Sequence, residues 1–280
     1  MRTNTGQILY IPRVGQRANL QHPLMKGCVG WWPLTDGAGG IAKDITANAY
    51  DATGTGIQWE QSVAGTRYDA AGGHLETSSF PVTNVSAFSY SLWLQNDSIS
   101  SDYFGRWSGL GGQKAILFRS NIGQFYVRNE ANTLEQGFSA GVNINTEALN
   151  SWNGMAHVVF TLNNGTATAY VNGTQRYQDT SFMAGPYIPA STTNGVAIGN
   201  GHGTPMTTGA IQNVRLWERE ISSTEVMELY HRPWSGLETT SSTRYFFLSS
   251  PLPTINPFSR IITSSTILNK SGKTVIRRGA

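Results

Sequence analysis

Three aspartates, Asp36, Asp44 and Asp51, are the first residues whose type and order suggest chemistry. Loop carboxylates of this kind can join backbone carbonyls around a calcium ion. Their spacing is looser than the dense alternation of a dedicated calcium loop, so no cofactor is expected, calcium being the one candidate. A second group suits sugar stacking: Tyr103 and Trp107 in YFGRWSGLGG, and His202 in GNGHGTP. Both glycine-rich stretches read as loops, but the acids and amides that fix a sugar's hydroxyls are sparse in them. Ordinary connecting loops are the simpler reading. Cys28 has no neighbouring histidine and reads as a small buried residue. His157 lies mid-strand and reads as structural. The five histidines are scattered, with no Cys/His cluster for a metal. Nucleotide-binding glycine fingerprints are absent. Glu218 and Glu220 flank Arg219 and read as a solvated loop.

The elements that would position these residues are mostly strands. Gly is abundant at 31 residues and only 13% of the chain is charged, a mix that suits tight turns between strands. Ala87–Leu94 alternates, with Phe88, Tyr90, Leu92 and Leu94 on one face and Ser89, Ser91 and Trp93 on the other. Trp93 among serines implies that both faces are covered. Ala115–Arg119 and Gln124–Arg128 form a hairpin. Met155–Leu162 and Thr166–Val171 form another, each strand followed by an Asn-Gly turn. Val196–Gly199 reads as a penultimate strand. Ile211, Val214 and Leu216 then mark a half-buried closing strand. Ser222 stands three residues before Glu225, the capping-box spacing, ahead of Val226, Leu229 and Tyr230 on one helical face. Pro233 ends that helix.

Several of these motifs occur in an order that resembles the laminin-G-like members of the concanavalin A-like lectin/glucanase superfamily. Trp32-Pro33-Leu34 with Asp36-Gly37, Phe88-Ser89 through Leu92-Trp93, and Trp152 followed by Ala156-His157-Val158 and Ala169–Gly173 carry the resemblance, as does the closing strand and helix. The resemblance implies an all-β jelly-roll sandwich over residues 27–234, with one short helix after the last strand. Residues 1–26 are then an extended N-terminal arm and 235–280 an extended C-terminal arm. Trp32 is expected in the core. The superfamily includes glucanases, whose carboxylates sit in a Glu-x-Asp-x-x-Glu string because glycoside cleavage needs two at fixed separation. This chain has no such string, and no enzyme activity is expected.

Charge adds the remaining expectation. Residues 1–35 carry four basic residues and no acid, and residues 239–280 carry six and no acid. The stretch between holds 10 basic against 17 acidic residues, a net of −7. An acidic body with basic arms concerns partners rather than fold. The single cysteine allows no disulfide framework, and neither a membrane-length apolar run nor a signal-peptide core is visible. Together these features resemble structural proteins of tailed bacteriophages. The expected role is a virion structural protein, a capsid decoration (cement) or head-fibre protein, made in the host cytoplasm without membrane or specific nucleic-acid contacts. Arg2, Arg13, Arg17, Phe246, Phe247, Phe258, Arg260, Lys270, Lys273, Arg277 and Arg278 would reach neighbouring virion proteins such as the major capsid protein, in a homo-oligomer. The alternative is a carbohydrate-binding (lectin-like) module of a phage adsorption protein, reading a surface glycan.

Overall fold

The computed structural model describes residues 15–237, apart from 63–64, 70–72, 80–81, 96–101, 108–113, 120–121, 130, 132, 150, 152–153, 189–194 and 200–208, and two short strands at 266–268 and 274–276. The early strands are β1 (Cys28–Trp32), β2 (Ile41–Ala42), β3 (Ala52–Thr55), β4 (Gln58–Ser62), β5 (Gly65–Asp69) and β6 (His74–Thr77). The middle of the chain supplies β7 (Ala87–Gln95), β8 (Asp102–Trp107), β9 (Lys114–Arg119), β10 (Gln124–Arg128), β11 (Glu135–Ser139) and helix α1 (Ile144–Leu149). There follow β12 (Ala156–Asn163), β13 (Thr166–Val171), β14 (Thr174–Asp179), β15 (Ala197–Ile198), β16 (Ala210–Trp217) and α2 (Ser223–His231).

These make two antiparallel sheets. One runs β14-β13-β12-β7-β16-β5-β4, with β1 added against β16; the other runs β11-β10-β9-β8-β15-β6-β3-β2. Rings from the two inner faces meet in the core, Tyr90 against Phe104 at 4.9 Å and Phe125 against Phe160 at 5.2 Å. Residues 240–280 form a second compact unit. Within it β17 (Thr266–Leu268) pairs with β18 (Thr274–Ile276). The first unit runs to Thr239, past the expected limit at Trp234.

The Asn-Gly turns close as their chemistry requires. Asn164 and Gly165 both take positive φ between β12 and β13, and Asn172 and Gly173 do so between β13 and β14. Trp32 is fully buried in the core, as expected. On β7, Phe88, Tyr90, Leu92 and Leu94 line the sandwich core, while Trp93 on the other face is equally buried. Its cover comes from α2, whose Tyr230 stacks on the Trp93 ring at 6.0 Å, and from the neighbouring β12, whose His157 stacks on it at 5.0 Å. Ser222 caps α2 with the reciprocal Glu225 bond predicted from their spacing.

The closing strand departs from simple alternation. A strict period of two would send Ile211 and Val214 to opposite faces. Asn213 instead takes φ +55°, and the register slips between Gln212 and Arg215 where β16 meets β7. This bulge puts Ile211, Val214 and Leu216 together in the core. The opposite face of β16 is buried too, so the strand is fully rather than half covered.

That cover includes residues expected to form an arm. Ala18 bridges to Leu237, Asn19 donates to the Gly236 carbonyl at 2.7 Å, and a single 3-10 turn at Pro23–Met25 buries Leu24. The Trp217 indole donates to the Leu24 carbonyl at 2.7 Å. Residues 15–26 therefore belong to the body, because Ala18, Leu24 and Met25 are buried and the backbone groups of Ala18, Asn19 and Leu24 find partners far along the chain. Helix α1 was also not anticipated; at six residues it is too short to show a period.

His157 is fully buried, with Ser91 Oγ 3.1 Å from its Nε2. Burial, helped by the nearby Arg215 charge, pulls its pKa down to about 3. The unfolded chain binds a proton below about pH 6.5 that the folded chain refuses, so stability is full above that value and falls as pH drops toward 3. Urea melts from pH 7 to 5, above the carboxylate range, should show a loss approaching about 1.4 kcal/mol per pH unit. His157→Gln should flatten that limb.

Candidate binding cleft

The described part of the molecule has a cleft of about 760 Å³ lined by Gly15–Gln21, Pro33, Thr35, Asp36, Lys43–Ala47 and Leu237. One wall is the N-terminal strap, fixed by the Ala18–Leu237 bridge and by the Ala18 N–H donating to the Ile45 carbonyl at 3.3 Å. Behind the strap, Pro233 and Ser235 are held by Arg215. Its guanidinium donates to their carbonyls at 2.6 and 2.9 Å and lies 3.6 Å over the Trp31 ring.

The facing wall is organised by Asp44. Its Oδ1 accepts from the backbone N–H of Trp31 at 3.0 Å and of Thr46 at 2.9 Å. Its Oδ2 accepts from the Thr46 hydroxyl and the Tyr50 N–H, both at 2.9 Å. Asp51 in turn accepts from the Lys43 ammonium and from the Asp44 N–H. These two carboxylates are spent on shaping a loop. The calcium candidates thus do not converge, and among the described residues no three His, Cys, Asp or Glu side chains are grouped to hold a metal.

Asp36 differs. It is half-buried at the cleft, and burial raises its pKa above the usual carboxylate value, against the pull of the Lys43 backbone N–H. Arg17 is exposed on the strap and has no ion-pair partner among the described residues. Amides (Gln16, Asn19, Gln21), hydroxyls (Thr35, Thr46) and the carboxyls of Asp36 and Asp44 thus surround a cleft that also offers the aliphatic surface of Leu20 and Ile45. Vicinal hydroxyls need this combination of paired donors and acceptors beside apolar carbon.

The sugar candidates read from sequence are not brought here. Tyr103 lies on strand β8 rather than in a loop and is fully buried, its ring against Phe118 at 5.0 Å. It is a core residue: the β8–β9 register slips between Asp102 and Phe104, and Tyr103 joins its neighbour Phe104 in the core. The Trp107 side chain and His202 lie outside the described residues, as do Arg2, Arg13, Phe246, Phe247, Phe258, Arg260, Lys270, Lys273, Arg277 and Arg278. The carboxylates near α2 are structural: Glu225 holds Arg219 through two bonds at 2.9 and 2.6 Å, and Glu220 accepts from Asn163 at 2.9 Å. Sequence reading missed the cleft, although three amides in the six residues from Gln16 to Gln21 were a signal of it.

The profile of the concanavalin A-like lectin/glucanases superfamily matches residues 69–227, more than half of the chain. A comparison with curated protein sequences finds no match. Among solved structures, domain 4 of AbnA, an extracellular arabinanase of Geobacillus stearothermophilus in complex with arabinotriose, superposes with a TM-score of 0.55 at 16% identity. That match covers 72% of this chain and 98% of that one. The binding domain of Paraclostridial Mosquitocidal Protein 1 gives 0.56 at 13% identity, covering 73% and 52%. The botulinum neurotoxin serotype G binding domain gives 0.52 at 16%, covering 73% and 50%. This chain spans about half the length of the two toxin domains. Such identities establish a shared fold. Every residue lining the cleft lies outside the matched span 69–227.

The burial of Tyr103 separates stability from binding. Tyr103→Ala should cost about 3 kcal/mol or more in a urea melt, the penalty of emptying an aromatic core site. At a temperature where the variant is folded, its ligand affinity should match the parent chain's.

Proposed function

The chain belongs to the concanavalin A-like lectin/glucanases superfamily, and on that premise we propose that it is a non-catalytic carbohydrate-binding module whose ligand occupies the Gly15–Ala47 cleft. The observation that carries this reading is the concentration of amide, hydroxyl and carboxyl side chains around a cleft of about 760 Å³, within the range usual for small-ligand sites. The AbnA domain in complex with arabinotriose lends support as a sugar-binding relative in fold, and the two toxin structures lend it as binding domains of the same fold. The non-catalytic part rests on the carboxylates. Glycoside cleavage needs an acid and a second carboxylate at fixed separation. Of the two that line the cleft, Asp44 has both oxygens engaged by four donors, which leaves Asp36 without a second free carboxylate beside it.

A glycan array on the full chain, followed by calorimetry on the strongest hit, tests the proposal. Binding should weaken about tenfold or more in Asp36→Ala, the loss of one charge-assisted bond to a hydroxyl. Binding unchanged by Asp36→Ala would move the ligand elsewhere, and turnover of a polysaccharide would overturn the non-catalytic reading.

The charge distribution favours a second reading, a bacteriophage virion structural protein, such as a capsid decoration or head-fibre protein, attached through its basic ends to neighbours such as the major capsid protein. Residues 239–280 hold six basic residues and no acid, and such a segment is drawn to an acidic protein surface. Deleting 239–280 should then abolish co-sedimentation with particles, and retention at the parental level would sink this reading.

A further inference from the structure

We propose that α2 and the N-terminal strap form an acid-sensitive latch, one layer that lifts from its sheet when His157 takes up a proton and so opens the wall of the cleft. The layer is distinct from the sandwich core. The described core between the two sheets includes no α2 residue. Val226 and Leu229 pack instead with Leu24 of the strap, Val159 and Trp217, and Tyr230 covers a second small cluster of Trp93, Met155 and Ala210. Both clusters lie on the outer face of the sheet that holds β7, β12 and β16, so losing them leaves the inner faces packed. Strap and helix also leave that sheet side by side. The strap enters β1 at Gly27, which has φ +70°, and α2 follows β16 beyond Glu218. β1 and β16 are paired, and the Glu218 N–H donates to the Gly27 carbonyl at 2.9 Å. That is the hinge line. The far edge is clasped where Asn19 meets Gly236 and Ala18 meets Leu237, next to the carbonyls held by Arg215.

The trigger is a ring with no room for a second N–H. His157 is fully buried and stacked with Trp93 at 5.0 Å and Tyr230 at 6.2 Å. Its Nε2 lies 3.1 Å from Ser91 Oγ, and its Nδ1 has no hydrogen-bond partner. A neutral ring donating through Nε2 leaves only a lone pair on Nδ1. The imidazolium adds an N–H that nothing accepts, beside the buried charge of Arg215. Lifting α2 takes Tyr230 away and hydrates both His157 and Arg215, so the open layer accepts the proton. The other groups around the ring do not meet its charge. β7 presents Ser91 and Trp93. The turn after β13 presents Asn172, whose Oδ1 accepts the His157 backbone N–H while its amide donates to Glu147 of α1, itself paired with Arg176. Two more histidines touch the layer. His22 Nε2 lies 3.7 Å from Glu228 and its Nδ1 accepts from the Leu24 N–H, while His231 is exposed against Tyr230. Charging His22 forfeits the Leu24 bond and strengthens the Glu228 contact, two small and opposed effects.

The test is native-state hydrogen exchange of the full chain without ligand, at pH 7 and pH 5 in low urea, with rates normalised to the unstructured chain. Amides of 15–26 and 223–231 should share one opening, with a weaker urea dependence than those of β7. Its equilibrium should rise about tenfold per pH unit below about 6.5, on the order of thirtyfold at pH 5, because the open ring binds the proton that the closed one refuses until about pH 3. His157→Gln should remove the rise, and His22→Asn with His231→Gln should keep it. If His157→Gln does not fold, the parent chain and the double variant decide. Opening of α2 without the strap, exchange of both only together with β7, an opening independent of pH, or a rise lost in the double variant would each overturn the latch. No ligand takes part, so the outcome is separate from that of the glycan array, which decides the carbohydrate reading.

Discussion

A buried cation with no carboxylate in ion-pair contact among the described residues holds the outer layer of this protein in place. Arg215 is fully buried on β16, and burial lowers its pKa to about 9, which still leaves it charged at neutral pH. Its charge is met by carbonyl dipoles of Pro233 and Ser235, the Asn213 amide oxygen at 3.2 Å and the face of Trp31. A buried ionised group is tolerated only when its donors are satisfied in this way. The consequence reaches beyond the strand. The carbonyls that satisfy Arg215 belong to the segment after α2, and that segment carries Gly236 and Leu237, to which the N-terminal strap is bonded.

Asn213 is the second partner in the same arrangement and shows why β16 must break its alternation. Its Oδ1 accepts from the Trp31 indole at 2.7 Å, and its amide donates to the Pro233 carbonyl. The left-handed backbone at Asn213 moves Val214 to the core face and leaves the amide with Arg215 outside it. One bulge thus serves two layers, filling the sandwich with Ile211, Val214 and Leu216 while assembling a polar anchor on the far side. Asparagine suits it, since its short amide tolerates positive φ at modest cost.

The division of labour among the aspartates follows from hydrogen-bond supply. Asp44 is surrounded by N–H groups of its own loop and of β1, so its oxygens are consumed locally. Asp36, a few residues earlier, is half-buried, and burial raises its pKa. The residue types are identical and the roles are not. Much the same holds for the tyrosines: Tyr103 is walled in by Phe118, whereas Tyr230 forms the lid over Trp93 and His157.

The amino-acid sequence alone determined what local chemistry controls. The Asn-Gly turns flanking β13, the two-faced alternation of β7 and the capping box of α2 were legible because each depends on residues a few positions apart. Acid-free ends were legible too, since charge can be counted without a fold. Only the tertiary structure decided that residues 15–26 are a wall rather than an arm, that Tyr103 is core, and where a ligand could sit. Each of these depends on partners far along the chain: Ala18 on Leu237, Tyr103 on Phe118, Arg215 on Pro233. No local pattern encodes such pairings, because what a side chain does is set by the groups that surround it after folding. The cleft is the clearest case. Its amides stood in plain sight between Gln16 and Gln21, but they line a cleft only because the Ala18–Leu237 bridge sets them against the Asp44 loop.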